Sequence, residues 1–358
     1  MNPVDGDAHN GRAFGGSRGV LAQAQAWRAQ GTSFSLAIVI DTEGSTYRKP
    51  GAFAVISANC ERCGVLSGGC LEPGVDALGL HALETASPQC AEFDTRSDED
   101  LVFGSGSGCR GRMRVVAIPV LGEQSAPLWQ AIVDASQAGE TLRVAMVAEG
   151  PQTGVAVAWD PLGRVVSADA PNRAESLAGL REAGPGRHRC AIQGIESDVA
   201  VFDVRPPIRL LLFGAGPEAR PLLHFAQALG WITFLVDHRQ ALLDASHGRA
   251  DRVLLARPAA AAVALDSMRF DAAVAMTHVA STDLDALGFM SGRDIAYVGL
   301  LGPTSRRDGL LAQHGGDARR LLEGRLHAPV GLDLGGEGPE IIALSIVAQI
   351  QRQLGQAG

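Results

Sequence analysis

Lysine is nearly missing from this chain. Lys49 is the only one in 358 residues, and arginine supplies the rest of the positive charge. No function follows from that bias. An excess of positive charge is missing too. The formal net charge is −8, so the electrostatic footprint of a nucleic-acid binder is absent. No apolar run reaches about twenty residues, the length a membrane-spanning helix requires, so no span is expected. The first ten residues lack the basic-then-apolar pattern of a secretory signal, which points to the cytoplasm. Six cysteines in a chain of this length do not build a disulfide framework. Cys60 and Cys63 form a Cys-x-x-Cys pair, but no second pair or histidine pair follows, so a zinc site is not expected. The chain also lacks a P-loop, a Ser-His-Asp arrangement, a heptad pattern and an internal repeat.

What remains is the composition of a globular protein with full cores, 46% apolar and 20% charged. The length implies about two domains. Residues 1–19 are polar and glycine-rich, and are expected to be disordered or loosely attached. Residues 20–205 predict a first domain of mixed α/β type. Its helices are expected at 20–30, 70–85 and 128–138. Its strands are expected at 34–40, 52–56, 64–66, 90–95, 113–120, 142–147, 155–159, 164–167 and 199–204. Arg205-Pro-Pro207 stiffens the chain and marks the boundary. The run at 208–213 is almost continuously apolar, as in a parallel strand covered on both faces. Further strands at 231–236, 253–255, 271–277 and 295–301 alternate with helices. Residues 206–335 are therefore expected to form a Rossmann-like parallel-sheet α/β domain. Residues 336–358 close the chain with a helix at 339–353 that can pack back on the first domain.

Two glycine-rich loops each carry a cysteine. Gly64-Val-Leu-Ser-Gly-Gly-Cys-Leu-Glu72 holds Cys70, and Gly106-Ser-Gly-Cys-Arg-Gly111 holds Cys109. Glycine permits positive φ and lets backbone approach a ligand closely. Cysteine is most often a small buried hydrophobe, but two in similar loops favour a site. Residues 43–51 add Ser45, Thr46, Arg48 and Lys49, two hydroxyls and two cations that can hold a phosphate. The same residues also suit a solvated hairpin loop.

Gly214-Ala-Gly-Pro-Glu-Ala219 follows an expected strand and opens an expected helix. Gly214 and Gly216 allow the tight turn and the backbone approach of a dinucleotide-binding fingerprint, with Ala219 in the third glycine position. Asp237 ends the next strand, where an acid can bond a ribose hydroxyl. NAD(P) binding is a separate matter. Glu218 puts a carboxylate in the helix-terminal field that would attract a pyrophosphate, so a scaffold that has lost its nucleotide, or binds a different one, fits as well. Thr277-His278 ends an apolar strand where open sheets place ligands, though a lone histidine also serves as a hydrogen-bonded structural residue. Asp283 and Asp285 suit helix capping as well as chemistry. Arg306-Arg307 can grip an anion or lie on the surface.

Together these segments resemble the XdhC/CoxI family of xanthine dehydrogenase accessory factors. The resemblance rests on Glu43-Gly-Ser-Thr-Tyr-Arg-Lys-Pro-Gly-Ala52, Ser67-Gly-Gly-Cys-Leu-Glu72, Leu212-Phe-Gly-Ala-Gly-Pro-Glu-Ala219 and Val236-Asp-His-Arg239. Ala275-Met-Thr-His278, Tyr297-Val-Gly-Leu-Leu-Gly302 and Pro329-Val-Gly-Leu-Asp-Leu-Gly335 complete it. The resemblance implies a chaperone without turnover of its own, usually a homodimer, that binds molybdenum cofactor as molybdopterin or its dinucleotide form. It implies that the cofactor is held for sulfuration by a cysteine desulfurase-type donor and inserted into a xanthine dehydrogenase-like apoenzyme. On this reading Cys70 and Cys109 line the site as molybdenum-proximal thiols, with Glu72, Gly68, Gly69, Ser45, Thr46 and Arg48 nearby. Gly214, Gly216, Asp237 and His278 provide a dinucleotide-like platform. Two positions depart from the family: Arg110 follows Cys109 where glycine is usual, and Pro217 replaces a frequent histidine. Soft thiolates suit a sulfur-rich metal centre. A helix start at Cys70 and a cation beside Cys109 both favour the thiolate.

Two other readings compete. An NAD(P)-dependent oxidoreductase would use the glycine turn and Asp237, but leaves the glycine-cysteine loops unexplained. A thiol-ligated cluster would use Cys60, Cys63, Cys70 and Cys109, but leaves the Rossmann half unexplained.

Overall fold

The computed structural model describes residues 15–96, 110–122, 124, 126–168, 175–246, 248–314 and 320–355. The chain divides into two compact units between Pro206 and Pro207. The first starts at Gly16, where α1 (Gly16–Ala29) begins. Residues 16–19, expected to be loosely attached, are the first turn of that helix. Residues 1–14 lie outside the described ones.

Two antiparallel sheets organise the first unit. One has the order β3-β2-β1-β5-β4, with β1 (Phe34–Gly44), β2 (Phe53–Ser57), β3 (Arg62–Cys63), β4 (Gln89–Asp94) and β5 (Gly111–Val120). Side chains on β1 alternate between its faces. Phe34, Leu36, Ile38 and Ile40 enter a core shared with α1 and α3 (Pro127–Ala138). Ala37 and Val39 face the other way, beneath α2 (Glu72–Thr85). Small residues let α2 sit close: a Cβ at Gly79 would stand 2.5 Å from the Ser35 hydroxyl.

The second sheet has the order β8-β7-β6-β10-β9, with β6 (Leu142–Val147), β7 (Ala156–Trp159), β8 (Val165–Ala168), β9 (Gly186–Ile192) and β10 (Ile195–Val204). Its Val144, Met146, Ala200 and Phe202 complete the shared core. The β9–β10 hairpin escapes the sequence analysis. Its turn is Gln193-Gly194 with φ of 51° and 81°, and its first strand alternates between exposed and half-buried positions. Neither the usual Asn-Gly signal nor an apolar face announces it.

Two other expectations change locally. No strand forms at 64–66, because Gly64 takes φ +102° and leaves the extended region. Helix α2 starts at Glu72 rather than Cys70, with Pro73 in its first turn and Gly69 at φ +109° before it.

The second unit holds a parallel sheet in the order β13-β12-β11-β14-β15-β16. Its strands are β11 (Arg209–Phe213), β12 (Ile232–Asp237), β13 (Arg252–Leu255), β14 (Ala272–Ala275), β15 (Tyr297–Leu300) and β16 (Leu326–His327). Its helices are α4 (Ala219–Ala228), α5 (Gln240–Ala245), α6 (Pro258–Ala264), α7 (Ala280–Ser291), α8 (Thr304–His314) and α9 (Pro339–Gly355). Leu210 and Leu212 pack with α4 and α9, while Leu211 and Phe213 pack with α6 and α7. The continuous apolar run at 208–213 is thus explained by helices on both faces. Ile346, Val347 and Ile350 of the terminal helix join Leu222 and Leu223 of α4. Buried Gln349 clips it further, accepting the Tyr297 hydroxyl and the Gly331 amide. The chain runs from β11 outward to β12 and β13, then crosses to β14 on the other side. The carboxyl ends of β11 and β14 therefore form the crevice where such sheets bind ligands.

Candidate functional site

In the first unit, the loops flagged by sequence converge at one end of the first sheet. The 44–51 loop leaves β1 and returns into β2. Gly51 takes φ +89°, and a Cβ there would stand 2.0 Å from the Asp203 carbonyl oxygen, so its exit is pinned against β10. Thr46 donates its hydroxyl to the Arg48 carbonyl at 3.0 Å and accepts from the Lys49 ammonium at 3.4 Å. Arg48 is half-buried, and its guanidinium has no ion-pair partner among the described residues. Tyr47, which the sequence analysis did not single out, is 64% exposed.

The 64–71 loop lies beside it: a Cβ built at Gly68 would touch the Tyr47 ring at 4.0 Å. Its shape comes from one buried carboxylate. Glu72, 4% exposed, accepts the Leu66 and Ser67 amides at 3.1 and 3.0 Å and the Ser67 hydroxyl. The Ser67 oxygen in turn accepts the Gly69 and Leu71 amides at 3.3 and 3.1 Å. A capping-box search misses this pair, because serine and glutamate stand five residues apart rather than three. The result is an exposed Gly68-Gly69 crest, with open space at Gly69, followed by half-buried Cys70 ahead of α2. Both Glu72 oxygens are engaged by the loop, so Glu72 acts here as a positioning residue.

Cys109 lies outside the described residues. The residues after it are tied to the same region. Ser45 donates its amide to the Arg110 carbonyl at 3.2 Å, and a Cβ at Gly111 would stand 2.2 Å from the Ser45 carbonyl oxygen. Thr95 and Gly111 exchange hydrogen bonds, Thr95 donating its hydroxyl at 2.9 Å. The strand ends that flank residues 97–109 thus meet beside Ser45 and Thr46. An ionic ladder braces them: Arg112 reaches Asp41, Glu43 and Glu92, while Arg96 reaches Glu43 and Asp94. Hydrogen bonds from Arg96 hold the Asp94 carboxyl down to about 2.

The remaining thiols differ in character. Burial pushes the Cys90 thiol up to about 11, with nearby Arg114 offsetting only part of that. Burial also raises Cys63 and Cys190. Cys60 is exposed. Among the described residues, no three His, Cys, Asp or Glu side chains come together as metal ligands. Brief iodoacetamide treatment at pH 8 is therefore expected to label Cys60 and Cys70 well before Cys63, Cys90 and Cys190, because the thiolate is the nucleophile. Peptide mass spectrometry reads the order, and Cys90 labelling as fast as Cys60 would refute the assignment.

The second unit carries its own cluster at the β11–β14 crevice. Gly214 takes φ +117°, and a Cβ there would stand 2.6 Å from the Met276 carbonyl oxygen. Asp237 is buried. It accepts the Ala215 amide at 2.7 Å and the Arg239 amide and guanidinium at 2.9, 2.9 and 2.7 Å. Burial pushes its carboxyl up, but Arg239 and the two amides outweigh that and hold it below the usual range. Glu218 and His278 face each other at 3.2 Å, and His278 takes φ +62°. Fully buried Asp283 anchors that backbone, accepting the Thr277 amide and hydroxyl at 3.0 and 2.6 Å and the Arg306 guanidinium at 2.6 Å.

Two family models match the chain. One, described as the XdhC and CoxI family, matches residues 27–94, which include the 44–51 and 64–72 loops. The other, described as the XdhC Rossmann domain, matches residues 210–350. A Bacillus subtilis protein named as a probable xanthine dehydrogenase subunit is 30% identical over 327 residues, 88% of this chain and 91% of that protein. The chain belongs to the XdhC and CoxI family.

A solved structure from Bacillus halodurans, described as a xanthine dehydrogenase, aligns with this XdhC-family chain at a TM-score of 0.72 and 26% identity. The alignment covers 94% of this chain and 96% of that one. The Escherichia coli protein YqeB, described as uncharacterized, is 32% identical over 192 residues, 49% of this chain and 35% of YqeB. Residues 95–209, including Cys109, fall between the two XdhC family models. Among the described residues of this family member, no helix is long and apolar enough to cross a membrane.

Proposed function

We propose that this chain is a maturation factor for a xanthine dehydrogenase-like molybdenum enzyme. It binds molybdenum cofactor, keeps it available for sulfuration by a cysteine desulfurase-type donor, and passes it, as a homodimer, to the apoenzyme. Family membership and the names of its relatives support the accessory role. The observation that carries the cofactor reading is the convergence of the 44–51 and 64–72 loops: Tyr47 lies against the open glycine crest ahead of Cys70, and Arg48, next in the chain, has no ion-pair partner among the described residues.

The donor set fits a phosphorylated, sulfur-rich group. Arg48, Lys49 and Thr46 would hold the phosphate, and the Gly68-Gly69 backbone leaves room for close approach. Cys70 offers a soft sulfur ligand, which matches molybdenum-dithiolene chemistry better than an oxygen ligand would. When bound, the cofactor would supply the metal that the client enzyme uses. The protein's own part is to orient it through Arg48 and the crest, and to release it from a partly open rim. Glu72 and Ser67 keep the crest in shape.

Purification from cells that make molybdenum cofactor tests this. The wild-type chain is expected to retain molybdenum and a fluorescent oxidised pterin near one per chain. Cys70→Ala and Arg48→Ala are each expected to reduce that by about tenfold, the loss of one charge-assisted or metal contact. A wild-type chain that retains neither would end the proposal, as would variants that retain both in full.

A further inference from the structure

The β11–β14 crevice of the second unit has a donor and acceptor set that a dinucleotide would not choose. A bound pyrophosphate needs free amides at the glycine turn, and the ribose needs an available acid. Here the Ala215 amide is already given to Asp237. Position 217 is a proline and has no amide hydrogen. The Asp237 side chain is 1% exposed, with both oxygens engaged by Ala215 and Arg239. One Glu218 oxygen lies 3.2 Å from where a Gly216 Cβ would stand, so negative charge fills the space in front of the turn. This set disfavours a pyrophosphate.

A ligand that brings its own N–H donors does fit. Glu218 is 7% exposed. A carboxylate only accepts, so His278 Nε2 is the donor in the contact at 3.2 Å. The other Glu218 oxygen has no partner among the described residues, and each carboxylate oxygen accepts about two hydrogen bonds. Those open acceptor sites are available to a donor brought by a ligand. His278 is 53% exposed on its side chain, so the pair opens to the crevice. Parallel N–H donors on a planar ring match two carboxylate oxygens, as a guanidinium fork does. The 2-amino-4-oxopyrimidine ring has that edge: a ring N–H beside an exocyclic amino group.

We propose that Glu218, backed by His278, holds the 2-amino-4-oxopyrimidine edge of a pterin or guanine ring at the carboxyl ends of β11 and β14. The pterin case rests on the maturation-factor reading and deepens it; the guanine case stands apart from it. Asp283 and Arg306 act as positioning residues, because they hold the backbone that presents His278.

The test is equilibrium binding to the full chain, freed of co-purified pterin, with pterin, guanosine, adenosine and NADH as probes. Pterin or guanosine is expected to bind, and the tighter of the two names the source of the ring. Glu218→Gln keeps the shape but loses the charge, and is expected to weaken that binding by about tenfold. His278→Asn tolerates the left-handed backbone and is expected to weaken it by a smaller factor. Asp285→Ala, at an exposed position of α7, is expected to leave it unchanged. The proposal is overturned if neither ring binds the wild type, if NADH or adenosine binds as tightly, or if folded Glu218→Gln binds unchanged. Such a failure with molybdenum still retained would sink this inference alone. Ring binding that depends on Glu218, in a chain that retains no molybdenum, would sink the maturation reading alone.

Discussion

Asp283→Ala is expected to destabilise the second unit by about 3–5 kcal/mol, the usual effect of stripping a buried charge of its partner. The side chain is fully buried and serves three donors: the Thr277 amide, the Thr277 hydroxyl and the Arg306 guanidinium. Removing it strands an arginine whose Nε is already buried without a partner. It also frees the strand end that holds His278 at φ +62°. Asp285, two residues on, is exposed. Asp285→Ala is therefore expected to change stability by less than about 0.5 kcal/mol. Urea unfolding followed by circular dichroism compares the two. Equal, small effects would show that the buried network contributes little. Hydrogen exchange at Ala272–Ala275 adds a local readout, since the strand end should open faster in Asp283→Ala alone.

Glu72→Ala is the counterpart in the first unit. The Leu66 and Ser67 amides and the Ser67 hydroxyl lose their acceptor together. Leaving buried donors unpaired costs about 1–3 kcal/mol each, but this loop can relax toward solvent, so a total near 2–4 kcal/mol is expected. The larger effect falls on the site. Without the carboxylate, Ser67 no longer fixes the Gly69 and Leu71 amides, and the crest that presents Cys70 loses its shape. Molybdenum retention should fall as far as in Cys70→Ala, although Cys70 is intact. Glu72→Gln keeps one acceptor oxygen and should fall between. Hydrogen exchange across residues 64–72 checks the stability arm independently of any cofactor. Unchanged protection there would remove Glu72 from its positioning role.

Much of this was legible in the chain. The apolar run at 208–213, the turn from Gly214 to Ala219 and the alternation of strands and helices after it are local signals, and they give the parallel sheet. The buried alternation of Phe34, Leu36, Ile38 and Ile40 is equally local. The hairpin at Gln193-Gly194 was not legible, since its strand carries little apolar surface to reveal it. Nor was the start of α2, where Gly64 and Gly69 turn residues 64–71 into a loop although their apolar pattern continues. Among the site residues, glycines and cysteines could be flagged by type, but Tyr47 could not, because exposure is no property of a residue name.

Periodicity and turn chemistry operate over a few residues, so the amino-acid order alone determined the two-part plan and the glycine turns. Partner choice operates across space, and only the folded chain decided it. Strand order brings His278 to Glu218 across 60 residues and Asp237 to Ala215 across 22. Whether a carboxylate serves a ligand, a loop or a neighbouring arginine depends on which donors the packing leaves within hydrogen-bonding distance. That distance is set by sheet register and crossover connections, which no short stretch of sequence contains.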